Sequence, residues 1–383
     1  MTSRRLLWSA LGAVAILLMI GGGWLWSLPP APSVTAPPPI AQAERDATVA
    51  ALKPPKRRRP LIAIIGINDG TETTDYLMPY GILRRADVAD VMTLATKPGP
   101  VQLYPVLKVE PQATIAEFDA QHPDGADYVI VPAMIRDDDP VALQWMRDQS
   151  ARGAIIVGVC VGAKVVGEAG LLHNKRATTH WYSVKELRSK HPTMQYVKDR
   201  RFVVDNGVAT TTGISASMPI SLTLIEAIAG RDKARAVGRD IGVANWDARH
   251  ESGAFSFTRP FALTAIGNTA AFWARERLGI ELKDGVDEVS LALAADAWSR
   301  TYRSQAVTFA ATADARQTRG GLRIYPEEVA ASWLAERLLA SVGERKPAEA
   351  LDETLRAMAA RYGARTTDFV AMQMEYPRNR AAQ

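Results

Sequence analysis

The sequence is poor in metal-binding and redox side chains: it has one cysteine, Cys160, in 383 residues. A single cysteine excludes an internal disulfide framework and a thiolate-rich metal site. No two histidines have the spacing of a helical zinc site, the five being His122, His173, His180, His191 and His250. Its one dense basic run, at 56–59, comes with no basic helix or nucleic-acid-reading motif. We therefore expect no metal, no other cofactor and no nucleic-acid partner.

The N-terminus has a long uncharged stretch. Arg4 and Arg5 precede residues 6–28, which as a helix would span the ~30 Å hydrocarbon core of a bilayer. Three tryptophans lie near its two ends, where aromatic belts are found. We interpret residues 1–28 as a single-pass anchor in the inner (cell) membrane, with the soluble part in the periplasm. A cleaved signal peptide is the alternative, although its apolar core is usually only ~7–15 residues long.

Folded structure is expected from residue 61 onward. Residues 29–60 are rich in proline and alanine, which predicts a semi-rigid linker. Apolar runs then alternate with stretches of helical spacing. Predicted strands cover 61–67, 91–95, 128–131 and 154–159, and predicted helices cover 74–85, 140–152 and 163–169. This alternation predicts an α/β domain with a parallel, doubly wound sheet over residues 61–240.

The C-terminal region, 241–383, contains a possible internal repeat. At a constant offset of 215 residues, Asp69-Gly70 matches Asp284-Gly285, and single positions match as Arg85 with Arg300, Thr93 with Thr308, Leu107 with Leu322 and Pro111 with Pro326. The offset indicates a smaller α/β segment that is a degenerate, truncated copy of the first domain; chance similarity is the alternative. We expect residues 280–326 to pack against the first domain as an intramolecular pseudo-dimer, and a homodimer remains possible.

The strongest local motif surrounds the lone cysteine. Residues 157–163 read Val-Gly-Val-Cys-Val-Gly-Ala, which predicts a sharp strand-to-helix turn of the nucleophile-elbow kind. A helix N-terminus behind Cys160 favours its thiolate, whereas a cysteine at a strand end is also a common core residue. Asp75 and His180 are expected at the same sheet edge, as proton carrier and neighbouring base. The alternatives are a structural histidine and a helix-capping carboxylate, for which Glu72 would serve equally.

Together these segments resemble the ThiJ/PfpI family of the class I glutamine-amidotransferase-like superfamily. The matching segments are the Gly-x-Cys-x-Gly-Ala elbow at 158–163, Glu-Ala-Gly-Leu-Leu at 168–172, Arg-Ala-Thr-Thr-His-Trp at 176–181, and Arg-Phe-Val at 201–203 followed by Thr-Gly-Ile-Ser-Ala at 212–216. The resemblance is greatest to the isonitrile-hydratase branch and to the amidase-like sensor domains of AraC-type regulators. It implies a flavodoxin-like fold in which Cys160 is the nucleophile, Asp75 the acid beside it and His180 the neighbouring histidine.

The sequence departs from the family around the expected oxyanion site. Val161 stands where this branch commonly has threonine, and Pro132-Ala133-Met134 replaces the family's Pro-Gly-Gly. We expect the backbone N–H groups of Val161, Ala133 and Met134 to form the oxyanion and substrate-binding site. Two functions remain open: an enzyme acting on a small electrophile (hydratase, amidase or deglycase-like), and a non-catalytic module that binds or senses a small molecule or a redox change.

Overall fold

A computed structural model describes residues 2–32, 35–330, 332–340 and 345–377. Its helices, α1 to α12 in chain order, are Thr2–Ser27, Gln42–Ala51, Thr73–Ala86, Ile115–Gln121, Pro140–Ala151, Gly162–Glu168, Val184–Lys190, Ser217–Ala229, Arg231–Ile241, Arg259–Ala270, Glu288–Ser299 and Pro347–Gln373. Its strands, β1 to β17, are Leu61–Gly66, Thr71–Glu72, Asp90–Ala95, Val101–Tyr104, Lys108–Glu110, Ala113–Thr114, Tyr128–Val131, Ile155–Gly158, Arg176–Ala177, Gln195–Tyr196, Phe202–Asp205, Val208–Thr211, Glu276–Glu281, Ser304–Ala310, Arg316–Gln317, Arg323–Tyr325 and Glu328–Val329.

The main sheet has seven strands in the order β11, β12, β8, β7, β1, β3, β6. Its neighbouring strands are parallel except that β11 pairs antiparallel with β12. The five central parallel strands follow the order of flavodoxin-like doubly wound sheets. Every residue of β1 is buried, as expected for a parallel strand covered by helices on both faces. The predicted α/β fold with a parallel sheet is confirmed.

Two apolar cores lie on the two faces of this sheet. One includes side chains of α3, α8, α9 and α11, among them Tyr76, Leu224, Val237 and Leu291. The other includes side chains of α4, α5 and α6, among them Phe118, Trp145 and Val165. In such a sheet the chain order reverses between β1 and β7, and the carboxyl ends of the strands there form the usual ligand crevice. The segments that follow β1, β7 and β8 therefore converge at one edge.

The structure corrects the prediction of a membrane anchor. Within the described residues, the structure contains no helix with both the length and the apolar character needed to cross a membrane. The C-terminal end of α1 instead contacts the folded chain near α10. Arg259 donates a hydrogen bond to the carbonyl of Trp26 at 2.8 Å, and its guanidinium lies 4.7 Å from the centroid of the Trp26 ring. The prediction of a single-pass inner-membrane protein with a periplasmic domain is therefore wrong.

The segment predicted as a linker contains a packed helix, α2. Arg200 forms an ion pair with Glu44 of this helix at 2.6 Å, and Arg45 pairs with Glu226 of α8 at 3.2 Å. The following residue, Leu52, is fully buried and its carbonyl accepts a hydrogen bond from the Tyr128 hydroxyl. Part of the proline-rich segment is therefore a helix with apolar and charged partners on the domain, which a simple spacer would not have.

The C-terminal region forms a smaller α/β unit against the first domain. A three-stranded parallel sheet has the order β13, β14, β17, and α11 connects its first two strands. Helix α11 packs against α3, and α12 packs against α11. Strand β16 extends a separate small sheet by pairing antiparallel with β5 of the first domain. The C-terminal unit thus lies directly on the helix that follows β1.

Candidate active site

Cys160 lies on the turn between β8 and α6. Its backbone φ is +56°, in the left-handed region, which costs a residue with a Cβ about 1–2 kcal/mol. Hydrogen bonds hold the turn on both sides. The Cys160 N–H donates to Thr211 Oγ1 at 2.9 Å, and Thr179 Oγ1 donates to the Cys160 carbonyl at 3.0 Å. This strand–turn–helix arrangement is the geometry of a nucleophile elbow.

Gly162 allows the elbow helix to approach the neighbouring strand closely. A Cβ at this position would collide with the carbonyl oxygen of Val131, the last residue of β7. Gly158 is also constrained, since its Cβ would lie 3.0 Å from Val166 Cγ2 and 3.1 Å from the backbone of Ala163. Gly162 is therefore required by close packing of the elbow against β7, and Gly158 by close packing of β8 against α6.

Asp75 lies in the first turn of α3 and is completely buried. Its Oδ2 accepts a hydrogen bond from the Ala133 N–H at 3.1 Å. Its Oδ1 is buried and has no hydrogen-bond partner among the residues that the structure describes. Burial, followed by the charge of Glu72, raises the pKa of Asp75 well above its usual value. The carboxyl is therefore disposed to hold a proton, with one oxygen uncommitted.

A network of buried ion pairs contacts the backbone of Asp75. Glu72 Oε2 accepts from the Asp75 N–H at 2.6 Å, and Glu72 Oε1 accepts from Arg300 Nη2 at 2.7 Å. Arg300 Nε also donates to Asp296 Oδ2 at 2.7 Å. Burial, with the charge of Asp296, raises the pKa of Glu72 to about 7. Sequence reasoning treated Glu72 only as a helix cap and Arg300 only as the repeat partner of Arg85, so it missed their place in this network.

The surroundings of Cys160 oppose its thiolate. Burial, and then the charges of Asp75, Glu72 and Glu375, raise the pKa of the Cys160 thiol well above its usual value, while Arg300 lowers it. This result is opposite to the depressed pKa that a helix N-terminus alone favours. The resting thiol therefore keeps its proton, and any nucleophilic role requires that proton to leave through a neighbouring group.

His180 is buried at this edge, but its ring is committed to the backbone. Nε2 lies 2.8 Å from the carbonyl oxygen of Gln373, and Nδ1 accepts from the Tyr182 N–H at 3.3 Å. A neutral ring with its proton on Nε2 satisfies both contacts, and burial lowers the pKa of His180. In this arrangement neither nitrogen is free to take the Cys160 proton, because the end of α12 occupies one of them.

The three predicted oxyanion donors are in different situations. The Ala133 N–H is used by Asp75, and Met134 lies where the loop after β7 bridges to Thr71. The Val161 N–H, next to the thiol, has no hydrogen-bond acceptor in the described part of the chain. In a nucleophile elbow the N–H after the nucleophile is a standard oxyanion donor. Met134 also has no acceptor for its N–H among the described residues, because the bonds of the bridge between Thr71 and Met134 are donated by the Glu72 and Ile135 N–H groups. Of the three, Val161 and Met134 therefore each have a backbone donor to spare.

Glu375 reaches the site from the segment after α12. Its carboxylate accepts from the Trp181 N–H at 2.5 Å and from the Gly213 N–H at 2.7 Å, and His250 Nε2 lies 3.4 Å from it. A Cβ at Gly213 would lie 2.8 Å from the Glu375 side chain, so only glycine admits this approach. Nothing in the sequence indicates the role of Glu375, since it belongs to no motif and lies far from the elbow.

Comparison with known proteins places the first domain in a family. Residues 62–227 match the DJ-1/PfpI family. Isonitrile hydratase from Pseudomonas putida is 33% identical over 169 residues, which cover 43% of this chain and 70% of that protein. The Parkinson disease protein 7 homolog of Danio rerio is 24% identical over 180 residues, covering 46% of this chain and 93% of that protein.

Two further proteins are similar to this chain over a shorter stretch or at a lower sequence identity. The HTH-type transcriptional regulator CdhR of Pseudomonas aeruginosa is 34% identical over 86 residues, covering 22% of this chain and 25% of the regulator. The crystal structure of Drosophila melanogaster DJ-1beta aligns with a TM-score of 0.44 and 21% identity, over 49% of this chain and 100% of its own. The expectation that this chain binds no nucleic acid stays a prediction. The fold and the similarity to isonitrile hydratase show that the chain belongs to the DJ-1/PfpI family.

Proposed function

We propose that this protein is an enzyme in which Cys160 attacks a small, uncharged electrophile and Asp75 carries the proton. The observation that carries this proposal is the Asp75 carboxyl: it is buried, its pKa is raised, and its Oδ1 has no partner in the described structure. A buried oxygen left without a hydrogen bond costs about 1–3 kcal/mol. Such a cost, beside an elbow cysteine, is characteristic of a group that meets substrate.

The protonation states of Cys160 and Asp75 support this assignment of roles. Cys160 holds its proton at rest, and Asp75 is a weak acid in the same buried environment, so its carboxyl is suited to relay a proton between the thiol and a substrate. When Asp75 is protonated, its charge no longer opposes a thiolate. The free Val161 N–H is then available to charge that develops on the substrate. His180 has no proton-transfer role in this scheme, because its nitrogens are bonded to the backbone.

An isonitrile, the substrate class in the name of the Pseudomonas putida relative, illustrates the reaction. The Cys160 sulfur bonds to the terminal isonitrile carbon, and the thiol proton reaches that carbon through Asp75, giving a thioimidate. Water then adds to the same carbon, with one proton going to nitrogen. The carbon–sulfur bond breaks as the remaining hydroxyl proton returns to sulfur, and an N-substituted formamide leaves.

The charge of the site favours a neutral substrate. Glu72, Asp75 and Asp296 are buried around one arginine, and Glu375 adds a further carboxylate near the thiol. An anionic ligand would lie in this region of low dielectric near the Glu375 carboxylate, where repulsion between like charges is strong. Isonitriles and aldehydes are uncharged, and we expect them to be accepted ahead of carboxylate-bearing compounds.

The test is turnover of cyclohexyl isocyanide, with the formamide product measured by mass spectrometry. We expect the wild-type protein to form it and Cys160→Ser and Asp75→Asn to lose at least about 100-fold in rate, the usual scale of a lost nucleophile or proton carrier. Glu349→Gln, at an exposed carboxylate on α12, is the matched control and keeps full activity. Equal turnover by Cys160→Ser, or no reaction of the wild type with isonitriles or small aldehydes, contradicts the proposal.

A binding or sensing module without turnover is the second candidate. The Cys160 side chain is nearly inaccessible, and Asp75 occupies the Ala133 N–H that would serve an oxyanion. A cavity of about 220 Å³ lies beside the tail and is lined in part by Met78, Ser215 and Met374. These observations favour ligand binding over redox sensing, because peroxide reacts with thiolates and the raised pKa of Cys160 keeps it protonated. Thermal stabilisation by isonitriles without product formation is the result that would favour this candidate.

A further inference from the structure

The C-terminal unit repeats the opening of the first domain element by element. At the offset of 215 residues, β13 coincides with β1, β16 with β5 and β17 with β6, and α11 and β14 overlap the positions of α3 and β3. Local hydrogen bonds repeat as well. The Leu103 N–H donates to the Leu107 carbonyl at 2.9 Å, and the Thr318 N–H donates to the Leu322 carbonyl at 2.8 Å.

A side-chain bond repeats at the same offset. The Thr93 N–H donates to Gln112 Oε1 at 3.0 Å, and the Thr308 N–H donates to Glu327 Oε2 at 3.0 Å. Each bond ties a central strand to the segment leading into the next short strand. Agreement in elements, backbone bonds and side-chain bonds goes beyond chance similarity of two strand–helix–strand segments.

The interface between the two copies has the arrangement of a two-fold symmetric dimer interface. Strands β5 and β16 pair antiparallel about Val109 and Ile324, which are equivalent positions. On either side, Arg323 pairs with Glu110 and Tyr325 pairs with Lys108. Helices α3 and α11, also equivalent, pack against each other. In a two-fold interface residue i of one subunit contacts j of the other, and j contacts i; these pairings obey that rule within one chain.

Two reciprocal ion pairs cross this interface. Arg300, just after α11, pairs with Glu72, the cap of α3. Arg85, in the last turn of α3, pairs with Asp287, the cap of α11. Arg85 is equivalent to Arg300 and Glu72 to Asp287 at the offset of 215 residues. The same contact is therefore made twice, once in each direction.

Only one of these two contacts lies beside a thiol. The position equivalent to Asp75 is Ser290, and the chain has no second cysteine. The Arg85–Asp287 ion pair is thus structurally equivalent to the Arg300–Glu72 pair, but it has neither a cysteine nor an equivalent of Asp75 beside it. Comparing the two pairs therefore distinguishes the contribution of Arg300 to the interface, which Arg85 shares, from its contribution to the Cys160 site, which Arg85 lacks.

We propose that residues 276–329 are a shortened second copy that takes the place of a partner subunit, and that Arg300 of this copy is a positioning residue for the Cys160 site. It acts through Glu72, whose other oxygen holds the Asp75 N–H. The inference rests on the proposed function in treating Cys160 as the reactive group. The C-terminal unit therefore completes the site of the first domain.

The charges that act on Cys160 and Asp75 come from several elements. They are Glu72 at the start of α3, Asp296 and Arg300 at the end of α11, and Glu375 after α12, with the Tyr104 hydroxyl of β4 close by. Arg300 is the cation of this set. Removing its charge leaves the carboxyls unopposed, which makes the Cys160 thiolate harder to form and the thiol slower to react.

The test measures the rate of Cys160 alkylation by iodoacetamide from pH 7 to 10, which reports this site alone because the chain has one cysteine. We expect Arg300→Gln to slow the reaction about tenfold at a given pH, the effect of a one-unit rise in thiol pKa. Arg300→Lys keeps the charge and is expected to recover part of the rate. Arg85→Gln removes the equivalent arginine and is expected to leave the profile in place, even if it destabilises the fold as much as Arg300→Gln does.

The outcomes separate this inference from the proposed function. Equal profiles for Arg300→Gln and Arg85→Gln overturn the positioning role, whatever the turnover. A shift confined to the Arg300 variants supports it, even if the wild type converts no isonitrile and the proposed function fails. Where alkylation is too slow to follow, the ultraviolet absorbance of the thiolate, measured against Cys160→Ser, gives the same comparison. Thermal unfolding of all variants shows that each is folded.

Discussion

The N–H of Gly213 donates to the Glu375 carboxylate at 2.7 Å, across 162 residues of chain. The same carboxylate accepts from the Trp181 N–H, beside the buried His180. A tail side chain thus satisfies two backbone donors at the edge of the elbow, and its charge is one of the causes of the raised Cys160 pKa. The tail therefore affects the site both sterically and electrostatically.

Glu375→Gln is expected to speed Cys160 alkylation several-fold to about tenfold at neutral pH, since it removes a charge that disfavours the thiolate. It is also expected to lower the free energy of unfolding by about 1–3 kcal/mol, because an amide cannot accept from both N–H groups equally well. Ser215→Ala is the control: it removes the Ser215 hydroxyl bond to the Glu375 carbonyl at 2.6 Å without changing charge. Equal acceleration in both variants would mean that the tail acts by access alone.

Asp75→Asn is expected to change turnover and thiol reactivity in opposite directions. The amide oxygen can still accept from Ala133, but it carries no transferable proton, so turnover falls by about 100-fold or more. Loss of the Asp75 charge, which raises the Cys160 pKa, makes alkylation at neutral pH faster. Parallel stopped assays of formamide formation and iodoacetamide labelling check this. A fall in both rates would argue against Asp75 as the proton carrier.

Glu72 makes folding stability depend on pH in a defined direction. Burial raises its pKa from 4.5 to about 7, so between these values the folded protein keeps a proton that the unfolded chain releases. Raising the pH through this window therefore favours the unfolded chain, and the free energy of unfolding falls. Asp75, whose pKa is also raised, adds to the slope in the same sense.

Urea unfolding at several pH values measures this slope. We expect Glu72→Gln to make it shallower by about 1.4 kcal/mol per pH unit, the contribution of one proton. Glu281→Gln, at an exposed carboxylate of β13, is expected to leave the slope as it is. The same slope in the wild type and in Glu72→Gln would show that Glu72 is ionised in the folded state throughout, whereas the overall slope also contains the buried histidines, whose lowered pKa values act in the opposite sense.

Gly162→Ala is expected to destabilise the fold by about 1–3 kcal/mol, the usual cost of overpacking, because its Cβ collides with the Val131 carbonyl. Gly267→Ala, in the interior of α10, meets nothing within 4 Å. That substitution is expected to be neutral or stabilising by up to about 1 kcal/mol, because alanine loses less backbone freedom in a helix. Thermal unfolding of the two variants gives the comparison, and equal effects would refute the close-approach explanation.

The parts of the site that sequence predicts are those formed by local patterns. The elbow follows from small residues around Cys160 at the end of an apolar strand, and the placement of Asp75 follows from the first strand-to-helix connection. Both depend on a few consecutive residues and on the rule that such connections meet at one edge of a parallel sheet.

The remaining parts depend on distant contacts. Arg300 meets Glu72 across 228 residues, and only the repeat offset, which matches Arg300 to Arg85, hinted at it. The role of His180 depends on the carbonyl of Gln373, which no local motif encodes. The membrane prediction failed because it weighed the composition of residues 6–28 alone, without the contacts that the end of α1 makes with Arg259.

The residues that enclose Cys160 extend along the chain from Glu72 to Glu375, so the site is assembled late in synthesis. A nascent chain that has passed the elbow but not the second copy has neither Arg300 behind Asp75 nor Glu375 beside Trp181. Completion of the chain therefore supplies, in its last third, charged groups that set the electrostatic environment of the thiol.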